Sequence, residues 1–111
     1  MRSKYELRYL SLFYEDLWEK VLYISSHLGN PKAANDLVDA VESAILKRLP
    51  VCESFEPYPS LKNRKNLYYR IYVKNFIVFY VVLTEHGKKI MEVRRLLYKR
   101  QERFSKLEEI N

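Results

Sequence analysis

Tyr69-Arg70-Ile71-Tyr72-Val73-Lys74-Asn75-Phe76-Ile77-Val78-Phe79-Tyr80-Val81-Val82-Leu83 is the stretch on which the fold turns. Leu67 to Val73 and Phe76 to Leu83 are rich in β-branched and aromatic residues, which suit a pleated surface, and Lys74-Asn75 is the right length for a tight hairpin turn between them. The second run is apolar at both parities, so a central strand covered on both faces is expected there. Thr84-Glu85-His86-Gly87 reads as the next turn and Lys88 to Tyr98 as a further strand. His86 is assigned to that turn as a solvent-exposed residue rather than a base.

Upstream of the hairpin the period changes from two to about 3.6. After a short first strand, Tyr5 to Leu10, Ser11 is placed as an N-cap with Glu15 and Asp16 in the early helix. Phe13, Leu17, Val21, Ile24 and Leu28 form one apolar stripe, which Gly29 ends. Asn30-Pro31 opens a second helix with the stripe Ala34, Val38, Val41, Ile45 and Leu49, stopped by Pro50. So short a connection predicts an antiparallel helical hairpin. Tyr14, Trp18 and Leu22 flank the first stripe and are expected to widen its contact with a sheet or the other helix. Val51 to Asn66, with Pro57, Pro59 and the run Lys62-Asn63-Arg64-Lys65-Asn66, describes a loop whose basic run is either a solvated tip or a phosphate-contacting arm. Gln101 to Ile110 reads as a short helix or a fraying tail. The whole is a single α+β domain over residues 1–111, ordered β-α-α-β-β-β. Its antiparallel sheet carries the helical hairpin on one face and leaves the other free to be concave and functional.

Charge divides the chain in two. Thirteen of its 20 Lys and Arg lie between Lys62 and Lys106 against only three acids, so that window nets +10. Interleaved with Tyr68, Tyr69, Tyr72, Tyr80 and Tyr98, it is either a surface for a polyanion or an ordinary solvated face. A hydrophobic content of 48% rules out a disordered chain. One cysteine, Cys52, and two histidines do not make a Cys/His zinc site, and Cys52 is read as a packing residue. No metal and no cofactor is expected. The N-terminus enters charged and aromatic sequence at once, with no apolar run resembling a signal peptide, so a cytoplasmic protein with no membrane contact is expected.

Two glycines in all give no phosphate-binding loop, and no paired carboxylates or Ser/His/Asp set has local support. The cluster with chemical content is arginine. Arg70 on one strand and Arg94, Arg95 and Arg100 at the end of another offer guanidinium forks that bind phosphate bidentately and neutralise charge built in a transition state. Tyr98 lies among them and can exchange a proton or stack on a base. Strand alternation puts Arg94, Tyr98 and Arg100 on one face and Arg95 and Leu97 on the other, unless the strand bends. The competing reading is that these arginines pair with nearby acids or line a groove for an acidic partner.

The element order, together with Tyr69 to Tyr80 and the later run Val93-Arg94-Arg95-Leu96-Leu97-Tyr98-Lys99-Arg100-Gln101-Glu102, resembles the RelE/ParE superfamily of type II toxin–antitoxin toxins. It is most similar to members called plasmid stabilisation proteins. The resemblance covers essentially the whole chain and implies a small basic toxin held inactive by an acidic antitoxin. RelE-like members cut mRNA on the ribosome without metal, whereas ParE-like members inhibit DNA gyrase and are not nucleases. Carried onto this chain, the resemblance makes Arg95 and Arg100 the phosphate-stabilising candidates and Tyr98 the tyrosine-or-histidine position, and Arg70 joins the catalytic candidates if its side chain reaches their face. It assigns substrate binding to Lys62, Arg64 and Lys65, and Lys74 and Arg94 are added as further substrate-binding candidates. One departure stands out: many RelE-like nucleases have an arginine where this chain has Ile77. The leading expectation is ribosome-dependent mRNA cleavage, ahead of gyrase inhibition and of a non-enzymatic basic-face binding module.

Overall fold

A computed structural model describes residues 4–59 and 66–101. β1 (Tyr5–Tyr9) leads into α1 (Ser11–Leu22), a π-helical turn (Tyr23–His27) and α2 (Pro31–Arg48). A 3-10 turn (Leu49–Val51) and an irregular segment precede β2 (Tyr69–Val73), β3 (Phe76–Glu85), β4 (Lys88–Tyr98) and a closing 3-10 turn (Lys99–Gln101). The α+β architecture is the expected one. β2, β3 and β4 are antiparallel neighbours, and β1 joins the outer side of β4 in parallel, so the sheet is mixed with the order β1-β4-β3-β2.

The helical hairpin covers one face. Gly29, at φ +63°, takes the left-handed conformation that terminates the first arm at little cost. Asn30 caps the second arm by accepting a hydrogen bond from the Ala33 N–H at 3.0 Å, with Pro31 in the first helical position. Leu37, Val41 and Ile45 of α2 share one core with Ile71, Val78, Tyr80 and Val93 of the sheet, with Ala34 also buried and Leu37 in the place expected of Val38. Tyr80 anchors this core to the loop: its hydroxyl donates to the Cys52 carbonyl at 2.7 Å and accepts from Arg48 at 3.0 Å.

Ser11 is the first residue of α1, not its cap. Leu10 holds the cap position because its N–H is tied to the Val93 carbonyl at 2.9 Å, which keeps Leu10 extended until the helix starts. The inward face of α1 also differs from the expected stripe. Phe13, Asp16 and Lys20 are its buried residues, with Leu17 and Ile24 half-buried beside them. Rotating the helix to seat Asp16 turns Trp18 and Leu22 outward, 61% and 45% exposed, while Tyr14 packs on Tyr9 of β1 and on Phe13. Tyr14 therefore widens the contact with the sheet as expected, whereas Trp18 and Leu22 face outward.

The opposite face of the sheet is not free. Ile77, Phe79, Val81 and Leu97 pack there with Tyr68, and Tyr58 and Leu83 close around them. Tyr58 and Tyr68, joined by a backbone hydrogen bond, set their rings edge-on to Phe79 at 5.4 and 6.4 Å. A strand apolar at both parities needs apolar cover on both sides, and here the chain supplies the second cover itself.

Candidate functional site

β4 carries the cation pair Arg94-Arg95 and the turn that follows it carries Lys99-Arg100, and local geometry sends the two pairs to different places. Along β3 the register reads Phe79 opposite Arg95 but Tyr80 opposite Val93, which makes Arg94 the extra residue of a β-bulge. The bulge overrides the alternation expected for this strand. Arg94 turns to the Tyr58/Tyr68 side, where its Nε donates to Glu92 at 2.9 Å and its Nη1 to the Tyr68 hydroxyl at 3.3 Å. Glu92 also accepts from Arg8 at 3.1 Å, and Arg8 reaches on to Glu85 at 2.8 Å. Arg94 is thus fixed by two acceptors and separated from Tyr98.

Arg95 is bound more tightly still. β1 stops pairing at Val93, so among the described residues the outer edge of β4 beyond that point has no strand partner, and α1 takes its place. Asp16 accepts from Arg95 Nε at 2.7 Å, from Arg95 Nη2 at 3.0 Å and from the Leu96 N–H at 2.9 Å. One carboxylate therefore neutralises a buried guanidinium with two-point geometry and caps a bare strand edge. In this arrangement Arg95 holds helix to sheet instead of presenting its fork to a substrate.

Arg70 shares a face with Ile77 and Phe79, since it lies opposite Phe79 and Tyr72 lies opposite Ile77. Its guanidinium sits over the Tyr58 ring at 4.8 Å and near Tyr72 at 5.7 Å. Tyr98, opposite Phe76, belongs to the helix-facing side, so Arg70 and Tyr98 lie on different sides of the sheet. The four arginines do not converge. Lys62, Arg64 and Lys65 lie outside the described residues.

A different group lines one pocket, where Lys99 reaches over the Tyr72 ring at 5.7 Å and Arg100 over the Tyr98 ring at 5.8 Å. The Lys99 N–H donates to the Asn75 carbonyl at 3.0 Å, which clamps the closing turn of the chain against the β2–β3 hairpin. Lys74, Lys99 and Arg100, all exposed, are thereby brought to the edge of one pocket of about 560 Å³, and Tyr98 forms part of its wall. Ile24, Leu37 and Phe76 supply apolar lining, and Tyr23 and Leu28 the outer lip. None of the three cations pairs with an acid among the described residues. The acid in the pocket, Asp36, is held by Lys32 at 3.0 Å.

Tyr98 is half-buried between Phe76, at 4.8 Å between ring centroids, and the Lys20 ammonium, 5.0 Å from its centroid. Lys20 is 2% exposed and donates to the Asp16 carbonyl at 3.5 Å. Burial pushes the Tyr98 phenol above its ordinary pKa, so at neutral pH it is a proton donor and not a base. Cys52 is fully buried, and burial first, then Glu53, raises its thiol to about 11, which leaves it an inert packing group. Among the described residues no three His, Cys, Asp or Glu side chains gather as a metal site needs, and no helix is long and apolar enough to cross a membrane.

Sequence reasoning pointed to Tyr98, Arg100 and Lys74 but missed Asp16 and the pocket. Asp16 had a signal: with Phe13 and Lys20 it falls at i, i+3 and i+7, a single helical face. The pocket had none, because its walls come from four segments far apart in the chain. Compared with protein-family models and with curated proteins, the chain matches no family and has no relative among them.

Proposed function

We propose that this chain is the toxin of a type II toxin–antitoxin pair of the RelE/ParE kind, acting in the cytoplasm and neutralised by an acidic antitoxin. The observation that carries the reading is the layout itself. β-α-α-β-β-β with a helical hairpin on one side of the sheet is what the resemblance implies, reached here by a chain whose basic half is the sheet-forming half. Of the activities the resemblance implies, inhibition by binding fits the site better than cleavage, with DNA gyrase as the target. Arg95 is committed to Asp16 and Arg94 to Glu92 and Tyr68. Ile77, at the position where many RelE-like nucleases have an arginine, is fully buried.

A second reading, metal-free mRNA cleavage, is favoured by one arrangement: Tyr98 as a proton donor beside Lys74, Lys99 and Arg100. Controlled expression in a bacterial host separates the two. Growth arrest with DNA damage signalling and loss of gyrase supercoiling by purified protein supports inhibition. Translation arrest with message cut at defined positions supports the nuclease. Unimpaired growth overturns the toxin reading in both forms.

A further inference from the structure

We infer that the outer stripe of α1, Tyr14, Trp18 and Leu22, is a docking site for a basic amphipathic helix of a partner protein, held by apolar contact along the stripe and by carboxylates on either side of it. The inference does not rest on the toxin reading. The antitoxin proposed above is acidic and suits the basic half of the chain, whereas the exposed charges beside this stripe are acidic.

The three side chains follow one another at i, i+4 and i+8, which is a single line along a helix. Phe13, Asp16 and Lys20 fix which side of α1 is buried, so the line is held outward. Tyr14, Trp18 and Leu22 stay 54%, 61% and 45% exposed. Apolar residues scattered singly over a surface are ordinary, but three large ones in a row are not. A tryptophan between a tyrosine and a leucine at helical spacing is the set of anchors with which one helix takes up the apolar side of another.

Charge selects the occupant. The exposed charged residues of α1 are Glu15 and Glu19, each one position beyond a member of the stripe, and its one cation, Lys20, is buried. Glu42 of α2 acts on the other side: burial first, then Tyr14 and Glu42, pushes up the phenol of Tyr9, which packs on Tyr14 at 5.4 Å. Glu6, Asp36, Glu53 and Glu85 hold cations at the surface, whereas Glu15 and Glu42 pair with none among the described residues. Carboxylates left unpaired beside an apolar line suit the lysines and arginines that flank the apolar side of a basic helix. A second copy of this chain laid on the face would set Glu15, Glu19 and Glu42 against their own counterparts, where like charges repel.

The test is titration of the full chain at fixed salt with peptides of about 18 residues, long enough to form a helix. One has leucine and lysine patterned to give a single apolar side, one has the same residues in scrambled order, and one keeps the pattern with glutamate for lysine. Trp18 is the only tryptophan of the chain, so its emission reports on the site directly while calorimetry gives the affinities. The patterned lysine peptide is expected to bind saturably, to shift Trp18 emission to shorter wavelength, and to bind about tenfold or more tighter than the other two. The chain carries a net charge of +6, which repels a cationic peptide in general, so such binding has to come from a local acidic face. Glu15→Gln with Glu42→Gln, and separately Leu22→Ser, are each expected to weaken it by about tenfold or more with the thermal midpoint unchanged, since all three side chains are exposed. Failure to saturate, equal affinity for the scrambled or the glutamate peptide, binding that leaves Trp18 emission unshifted, or unchanged affinity in both variants overturns the proposal. A dimer in sedimentation whose formation shifts Trp18 emission without peptide also overturns it, and assigns the face to a second copy. None of these readouts involves toxicity, so they stand apart from the outcome of the expression test.

Discussion

Two pairs of cations separated by three residues, one on β4 and one in the turn just past it, have opposite fates. Arg94 and Arg95 are enclosed by Glu92, Tyr68 and Asp16, whereas Lys99 and Arg100 stand at the edge of an open pocket without an acid partner among the described residues. The difference lies in what neighbours the strand. Beside Arg94 and Arg95 are a bulge, an edge that α1 must cap and a face that Tyr58 and Tyr68 cover. Past Tyr98 the chain turns off the sheet, where Lys99 lies over the Tyr72 ring at 5.7 Å and Arg100 over the Tyr98 ring at 5.8 Å, and neither meets an acid among the described residues. A positive charge is evidence of a ligand surface only after its acids have been counted.

The largest effect comes from breaking the enclosed pair. Asp16→Ala leaves the Arg95 guanidinium buried without its carboxylate and the Leu96 N–H without its acceptor, and should cost about 3–5 kcal/mol. Urea denaturation would show this as a lower midpoint. The double variant Asp16→Leu, Arg95→Met should recover most of that loss, because apolar groups of similar size can replace a buried ion pair at little cost. If Asp16→Ala unfolds at the wild-type midpoint, Arg95 is available to a ligand after all and the contrast between the two pairs fails.

Glu92→Gln is the next step down. The amide keeps the shape and one acceptor but leaves the Arg8 and Arg94 guanidinium groups facing each other without the charge between them. A loss of about 2 kcal/mol is expected, measured by the same denaturation. Tyr68 still holds Arg94, which is why the effect should be smaller than at Asp16.

At the open pair the expectation reverses. Arg100→Ala and Lys99→Ala should each change stability by about 0.5 kcal/mol or less, while reducing growth inhibition on controlled expression. Arg95→Ala should also reduce growth inhibition, but together with its thermal midpoint. Comparing the two residues by melting and by growth distinguishes a cation that acts on a partner from one that maintains the fold. Equal melting losses at Arg95 and Arg100 would erase the distinction.

The fold was legible where short-range rules decide it. β3 announced two-sided burial by being apolar at both parities, Asn30-Pro31 after Gly29 marked the helical hairpin, and Lys74-Asn75 marked the β-hairpin. The site was legible only in part. Alternation put Tyr98 and Leu97 on opposite faces, as their pairing with Phe76 and Ile77 has them, but it could not foresee the extra residue at Arg94, because a bulge is settled by how two strands pair and not by either alone. The free face failed as an expectation for the same kind of reason. Tyr58 and Tyr68 belong to a proline-bearing loop, and only the closed tertiary structure shows that the loop returns across Phe79. On α1, apolar periodicity selected Leu17 and Val21, while the buried ion pair turned the helix toward Asp16 and Lys20.

The smallest effect belongs to a third kind of cation, one paired with an acid but left in water. Lys89 donates to Glu53 at 2.7 Å and Tyr5 donates to the same carboxylate at 2.8 Å. The bond from Lys89, then the bond from Tyr5, holds the Glu53 carboxyl below its usual pKa, and Glu53 in turn raises Lys89. Burial first, and then Glu53, pushes the Tyr5 phenol up to about 12. For Glu53, whose folded value is depressed, the stabilisation is complete above the ordinary carboxylate range and is lost as pH falls through the folded value. For Tyr5 and Lys89, whose folded values are raised, it is complete below their ordinary values of about 10 and is lost as pH rises through the folded ones. Wild type and Glu53→Gln should therefore differ by a small constant amount from about pH 6 to 9, with the gap closing toward acid below about pH 4 and toward alkali above about pH 10. Solvent screens this pair, so the plateau should be well below the losses at Asp16 and Glu92. A gap that stays constant into acid would mean that Glu53 is not held as a carboxylate by its neighbours, and the ranking of enclosed, open and solvated cations would lose its third member.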